Sequence, residues 1–200
     1  MHHVDSVAPL ILFAVVSTVT PGGATTLATA SGAQFGFRRS VPLMAGIAGG
    51  LASLAALVAA GLASVLLAAP SLQLAMKLAG SVYLLWLAWK IGRSGPPGFD
   101  TNIAAPTTFI GGACLLWLNP KGWAMAFGAA ASFSVLADGP LVLAALLGVA
   151  LGLAAIVSLC LWCAAGVLLT RLLKTPRQWR ILNSVLGLLL AASILPMWSQ

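Results

Sequence analysis

The apolar residues of this 200-residue chain neither alternate along strands nor form narrow stripes; they run in long blocks separated by short polar breaks. A block of about 20 mainly apolar residues is long enough to cross the roughly 30 Å hydrocarbon core of a bilayer as a helix. Six such blocks stand out: Val7 to about Gly36, Val41 to Ala68, Leu72 to Ile91, Phe109 to Leu136, Leu141 to Leu169, and Ile181 to Trp198. The weakest boundary lies between the second and third, marked only by Ala69-Pro70-Ser71. The pattern predicts an all-α membrane protein with six transmembrane helices.

The segment Gly92 to Thr108, rich in Gly, Pro and polar residues, divides the blocks three and three. This suggests a first three-helix repeat over residues 1–91, a cytoplasmic linker over 92–108 and a second repeat over 109–200, together forming one membrane domain. Two similar halves with an odd number of spans must face opposite ways, as in the inverted repeats of secondary transporters. Weak internal likeness supports this: Thr20-Pro21-Gly22-Gly23 matches Asn119-Pro120-Lys121-Gly122, Gly46 and Gly50 match Gly148 and Gly152, and Ser81-Val82 matches Ser184-Val185.

The cations orient the spans. Arg38 and Arg39 follow the first block, Lys90 and Arg93 the third, and Arg171, Lys174, Arg177 and Arg180 the fifth, which accounts for eight of the ten Lys and Arg. Cytoplasmic loops retain such residues, so both termini are expected outside. The start, MHHVDS, has no Lys or Arg and precedes an apolar run too long for a signal-peptide core, so the first block reads as a retained span.

Composition closes off other classes. The chain is 60% hydrophobic and only 6% charged, whereas a soluble domain keeps about a quarter of its residues charged. The formal net charge of +7 reflects three acids rather than a dense basic patch, so nucleic acid is not an expected partner. Two His at the N-terminus and three scattered Asp offer no metal cluster or hydrolytic pair, and neither enzyme activity nor a cofactor is expected. Of the three Cys, Cys160 and Cys163 form a C-x-x-C inside an apolar helix, where packing is the preferred reading.

The chemistry concentrates at two prolines. The first and fourth blocks are longer than a straight crossing needs, and each is interrupted near its middle by a cap residue followed by Pro, Thr20-Pro21 and Asn119-Pro120. Pro stops the preceding helix and is favoured as the first residue of a new one behind a Thr or Asn cap. Helices 1 and 4 are therefore expected to be broken there. A helix restarted inside lipid presents unpaired N–H groups and the positive end of its dipole, which together form an anion site. Gly22 and Gly23 permit close approach, Thr25 and Thr26 offer hydroxyls, and Lys121, about a dozen residues from the nearer end of its block, adds a charge that is costly to bury without a role. The expected substrate-binding set is Thr20, Pro21, Gly22, Gly23, Thr25, Asn119, Pro120 and Lys121. The plainer alternative makes both prolines ordinary kinks and Lys121 a cap for carbonyls near Leu116 to Leu118. The G-x-x-x-G pairs suit close helix contact, within one chain or at a homodimer face.

These motifs together resemble the LysE/RhtB family of bacterial amino-acid exporters. Pro21-Gly22, the run Gly36-Phe37-Arg38-Arg39-Ser40, the third block from Lys77 to Lys90 with its Gly80, Tyr83-Leu84 and Trp89-Lys90, and Leu118-Asn119-Pro120-Lys121 are similar to that family's motifs in order and spacing. The resemblance implies a multi-pass inner-membrane exporter of amino acids or related zwitterions, driven by an ion gradient with the proton as the expected coupling ion. Where the family has Pro-Gly-Pro-Asn, this chain has Pro21-Gly22-Gly23-Ala24, which leaves open a membrane subunit without transport of its own. A membrane thiol carrier would need cysteines in both broken spans; Cys114 lies near the second break and the first span has none.

Overall fold

The structure is a computed structural model that describes residues 2–62, 70–96 and 107–195. Among these residues there are eight α-helices and no strand. They are α1 (His2–Val19), α2 (Gly23–Phe35), α3 (Phe37–Leu57), α4 (Pro70–Gly92), α5 (Phe109–Trp117), α6 (Pro120–Ser132), α7 (Pro140–Leu172) and α8 (Pro176–Ala192). Helix α3 runs on into a π-helical turn, Val58–Leu62, which ends the regular helix where Gly61 takes φ 120°. Three helices start on proline behind a residue that is not helical: Asn119 before Pro120, Gly139 before Pro140 and Thr175 before Pro176. A missing N–H costs nothing at that position, so the proline sets the first turn without breaking one. Thr175 accepts from the Gln178 amide at 3.3 Å while Gln178 Oε1 accepts from the Thr175 amide at 3.0 Å, closing a reciprocal cap on α8.

Helix α3 lies at the centre, against α7 on one side and α5 on another. Its inward residues Leu43, Met44, Ile47, Leu51 and Leu54 form one apolar core with Leu147 and Leu151 of α7, Leu115 of α5 and Leu190 of α8. Helices α1 and α2 pack on α7, α6 on α3, and α4 on α8. The closest approaches are backbone to backbone and depend on glycine. A Cβ on Gly46 would lie 2.0 Å from the Phe109 carbonyl oxygen, and one on Gly166 would lie 2.0 Å from that of Thr29. Gly50 faces Ala113, while Gly148 and Gly152 face Ala52, so both G-x-x-x-G motifs are used between helices of a single chain. Cys163 is fully buried against Gly32, as a packing cysteine would be.

Among the described residues, two helices are long and apolar enough to cross a membrane alone: Phe37–Leu62 with 26 residues and Pro140–Leu172 with 33. The pair Val7–Val19 and Gly23–Phe35, bent by 57°, makes a third if it is taken as one span. Among the described residues fewer spans stand out than the six expected, in part because α5, α6 and α8 are short, with 9, 13 and 17 residues. The expected linker has residues 97–106 outside the described set; of the weak boundary at residues 69–71, residue 69 lies outside it, while Pro70 and Ser71 open α4. The outer face of α7 shows Val142, Val149, Leu153, Val157 and Leu161, each at least 60% exposed. Such a stripe is intolerable in water and natural against lipid tails.

Candidate functional site

Two helix ends and two helix starts meet near the middle of the bundle. Helix α1 ends at Val19, and α2 begins at Gly23 after the Thr20-Pro21-Gly22 corner. Helix α5 ends at Trp117, and α6 begins at Pro120 after Leu118-Asn119. Each start is organised by a polar side chain. Thr25 Oγ1 accepts from the Gly22 amide at 2.8 Å and donates to the Gly22 carbonyl at 2.9 Å. Asn119, only 2% exposed, accepts the Lys121 amide on Oδ1 at 3.0 Å.

The two corners touch. A Cβ on Gly23 would lie 3.3 Å from Asn119 Nδ2, and one on Gly22 would lie 3.0 Å from Cδ of Lys121. The Lys121 ammonium donates to the Thr20 carbonyl, reaching from the start of α6 to the end of α1. The last carbonyls of α1 find donors from other helices as well. Ser158 Oγ donates to Thr18 O at 2.8 Å and Trp162 Nε1 to Val19 O at 3.1 Å, both from α7. A helix end inside lipid cannot leave its carbonyls bare, and a cation there also meets the negative end of the dipole. The carbonyls near Leu116 to Leu118, the alternative partners for Lys121, are served differently: Trp123 Nε1 donates to Trp117 O at 2.7 Å and the Asn119 amide to Leu116 O at 2.9 Å. Ser158→Ala is expected to cost about 1–2 kcal/mol by stranding the Thr18 carbonyl. Thermal unfolding of the purified protein in detergent should show this as a midpoint lowered by a few degrees.

Between the corners lies a mainly apolar cavity of about 40 Å³, lined in part by Thr18, Thr25, Asn119 and Lys121, with Ala24, Gly22 and Gly122 beside them. Its apolar wall comes from Ile47 and Leu51 of α3, Met125 of α6, and Ala155 and Leu159 of α7. Of the eight residues named from sequence, Gly22, Thr25, Asn119 and Lys121 line this cavity, whereas Thr20, Pro21, Gly23 and Pro120 do not. Thr20 and Pro21 are exposed; the Thr20 hydroxyl turns back to Val16 O at 2.6 Å, so only its carbonyl takes part. Thr18, Ser158 and Trp162 were missed. A Ser embedded in the apolar run of α7 was the available signal for one of them.

The match to known proteins is extensive. The family model described as LysE type translocator matches residues 15–193. The chain belongs to the LysE-type translocator family. The "Cysteine/O-acetylserine efflux protein" of Escherichia coli (strain K12) is 32% identical to this translocator over 181 residues, 89% of this chain and 90% of that one. The protein of the same description from Shigella flexneri is similar to the same extent. No solved structure matches. In this LysE-type translocator the Asn119-Pro120-Lys121 sequence is the piece that caps α6 and ties it to α1.

Proposed function

We propose that the protein is a secondary exporter of small zwitterionic amino acids across the bacterial inner membrane, with cysteine and O-acetylserine as the first cargoes to test because the relatives are described by them. In this reading α1 with α2 forms one span broken at Pro21 and α5 with α6 another broken at Pro120. Helices α3, α4, α7 and α8 supply the other four spans, and both termini lie outside. The neighbour pattern supports an inverted repeat: the first broken span packs on α7 of the other half, the second packs on α3, and α4 pairs with α8. Chemically distinct functions have less support, since the candidate junction holds no thiol and no carboxylate.

The observation that carries the reading is the bond between the corners, Lys121 ammonium to Thr20 carbonyl, beside a small cavity that Asn119 and Lys121 line. A cargo carboxylate competes with that carbonyl for the same ammonium and wins, because it meets the cation with a full opposite charge where the carbonyl offers only a dipole. Once the ammonium moves to the cargo, the end of α1 is released from α6. The N-terminal dipoles of α2 and α6 favour the same carboxylate. Rocking of one half on the other then exposes the cavity to the far side. A proton gradient is the expected drive, carried through Lys121 or the cargo's own ionisation.

Cells expressing the chain and loaded with cysteine- or serine-containing dipeptides should release the free amino acid several-fold faster than cells with empty vector. Equal release would favour a subunit without transport of its own. Ala24 gives that second reading its one support, since it places a methyl group in the cavity wall where the resembling family has an amide.

A further inference from the structure

A second and much larger cavity, about 480 Å³, opens between α2, α4 and α8 near the end of α4 that carries Lys90. Its walls include Ser31 and Gln34 of α2, Tyr83, Trp86 and Lys90 of α4, and Asn183 of α8. The two volumes differ in what they admit. The junction cavity has room for a few waters, whereas a few hundred Å³ is the ordinary size of a small-molecule site. An amino acid fits the second and not the first.

The two amides that line the large cavity are committed on one side. Gln34 spends its amide nitrogen on the Gly95 carbonyl at 3.0 Å, and Asn183, 2% exposed, spends its own on Ser94 O at 2.7 Å and Gly95 O at 3.3 Å. Both donors thus go to the chain that leaves α4. What remains of the Gln34 amide for a ligand is its acceptor, and Gln34 Oε1 is buried with no partner among the described residues. A buried acceptor left empty costs about 1–3 kcal/mol, a cost that an incoming N–H donor removes. At the α4 wall, Lys90 lies 5.1 Å from the centroid of the Trp86 ring and is exposed, leaving its ammonium able to meet an anion.

We propose that this cavity is the loading site, where cargo bearing a primary ammonium and a carboxylate is bound from the cytoplasm before the junction opens, with Gln34 Oε1 accepting from the ammonium and Lys90 drawing the carboxylate. The direction of loading rests on the exporter reading; the binding does not. In the conformation described, the loading cavity has room for an amino acid and the junction cavity does not, so a cargo meets Gln34 first and Lys121 second.

Binding of radiolabelled L-cysteine to the purified protein in detergent, under a phosphine reductant, tests this directly, with N-acetyl-L-cysteine as a competitor that lacks the ammonium. The wild type should bind L-cysteine and prefer it at least tenfold over the acetylated form. Gln34→Leu should weaken L-cysteine at least tenfold and abolish the preference, while Gln34→Glu should widen it. The proposal is overturned if the wild type does not bind or shows no preference, or if either variant keeps the wild-type preference. Gln34→Glu decides the matter alone if Gln34→Leu fails to fold. Uptake into inside-out vesicles, measured in parallel, separates the two readings: binding with the expected preference but no uptake sinks the exporter and leaves the loading site standing.

Discussion

Lys121→Met is expected to give a protein that still inserts and folds, with initial efflux per molecule down by about a hundredfold or more. Truncating one partner of a buried charge pair costs about 2–5 kcal/mol, and each 1.4 kcal/mol is a factor of ten. The pair at stake is the one formed in transit, ammonium with cargo carboxylate, for which methionine offers the same stem and no charge. In the resting protein the loss is smaller. The Thr20 carbonyl gives up one bond, worth about 1–3 kcal/mol when stranded, while Ser158 and Trp162 still hold the two carbonyls before it. Stability and transport should therefore separate, with a modest drop in the unfolding midpoint and a near-complete drop in flux. Lys121→Arg keeps a cation at the corner and should retain a measurable fraction of transport. Efflux from dipeptide-loaded cells, normalised to folded protein by gel-filtration fluorescence, makes the comparison. A purely structural cap would show efflux per folded molecule close to wild type in Lys121→Met, and that result would remove the mechanism.

The chain's own pattern made some of this legible and hid the rest for identifiable reasons. The start of α6 was readable, because Asn119-Pro120 carries its cap in the adjacent residue; Thr175-Pro176 carries the same signal and opens α8 ahead of the expected Ile181. The polar character of the junction was readable too, since Lys121 and Asn119 stand out in an apolar block. The partner of Lys121 was not, because it is a backbone carbonyl 101 positions away and a carbonyl leaves no mark in a sequence. Thr20 and Pro21 were named for their types, and types do not say which way a corner turns; both face outward while the Gly22 beside them faces in. The loading cavity went unread because it is made by three helices far apart in the chain. Its residues, Gln34 at the end of α2 and Asn183 in the second turn of α8, look like ordinary polar ends of apolar segments.

Gly46→Ala is expected to destabilise the protein by at least about 3 kcal/mol, and Gly49→Ala, three residues along the same helix, to be neutral or to stabilise it by up to about 1 kcal/mol. Alanine is the better helix former at both positions, so propensity alone predicts a gain twice. Space decides otherwise. At Gly46 the added methyl would lie 2.0 Å from the Phe109 carbonyl oxygen and 2.8 Å from its carbon, so two backbones must part. At Gly49 the nearest atom is Cζ of the Phe109 ring at 3.5 Å, an ordinary contact. Separating α3 from α5 also shifts the end of α5, which leads directly into Asn119 and Lys121, so the surviving folded fraction of Gly46→Ala should export poorly as well. Gly166→Ala faces the Thr29 carbonyl at the same 2.0 Å and should repeat the effect between α7 and α2. Thermal midpoints in detergent rank the three variants. If Gly46→Ala and Gly49→Ala unfold together, the close backbone crossing of α3 and α5 is wrong, and with it the placement of the second corner against the first.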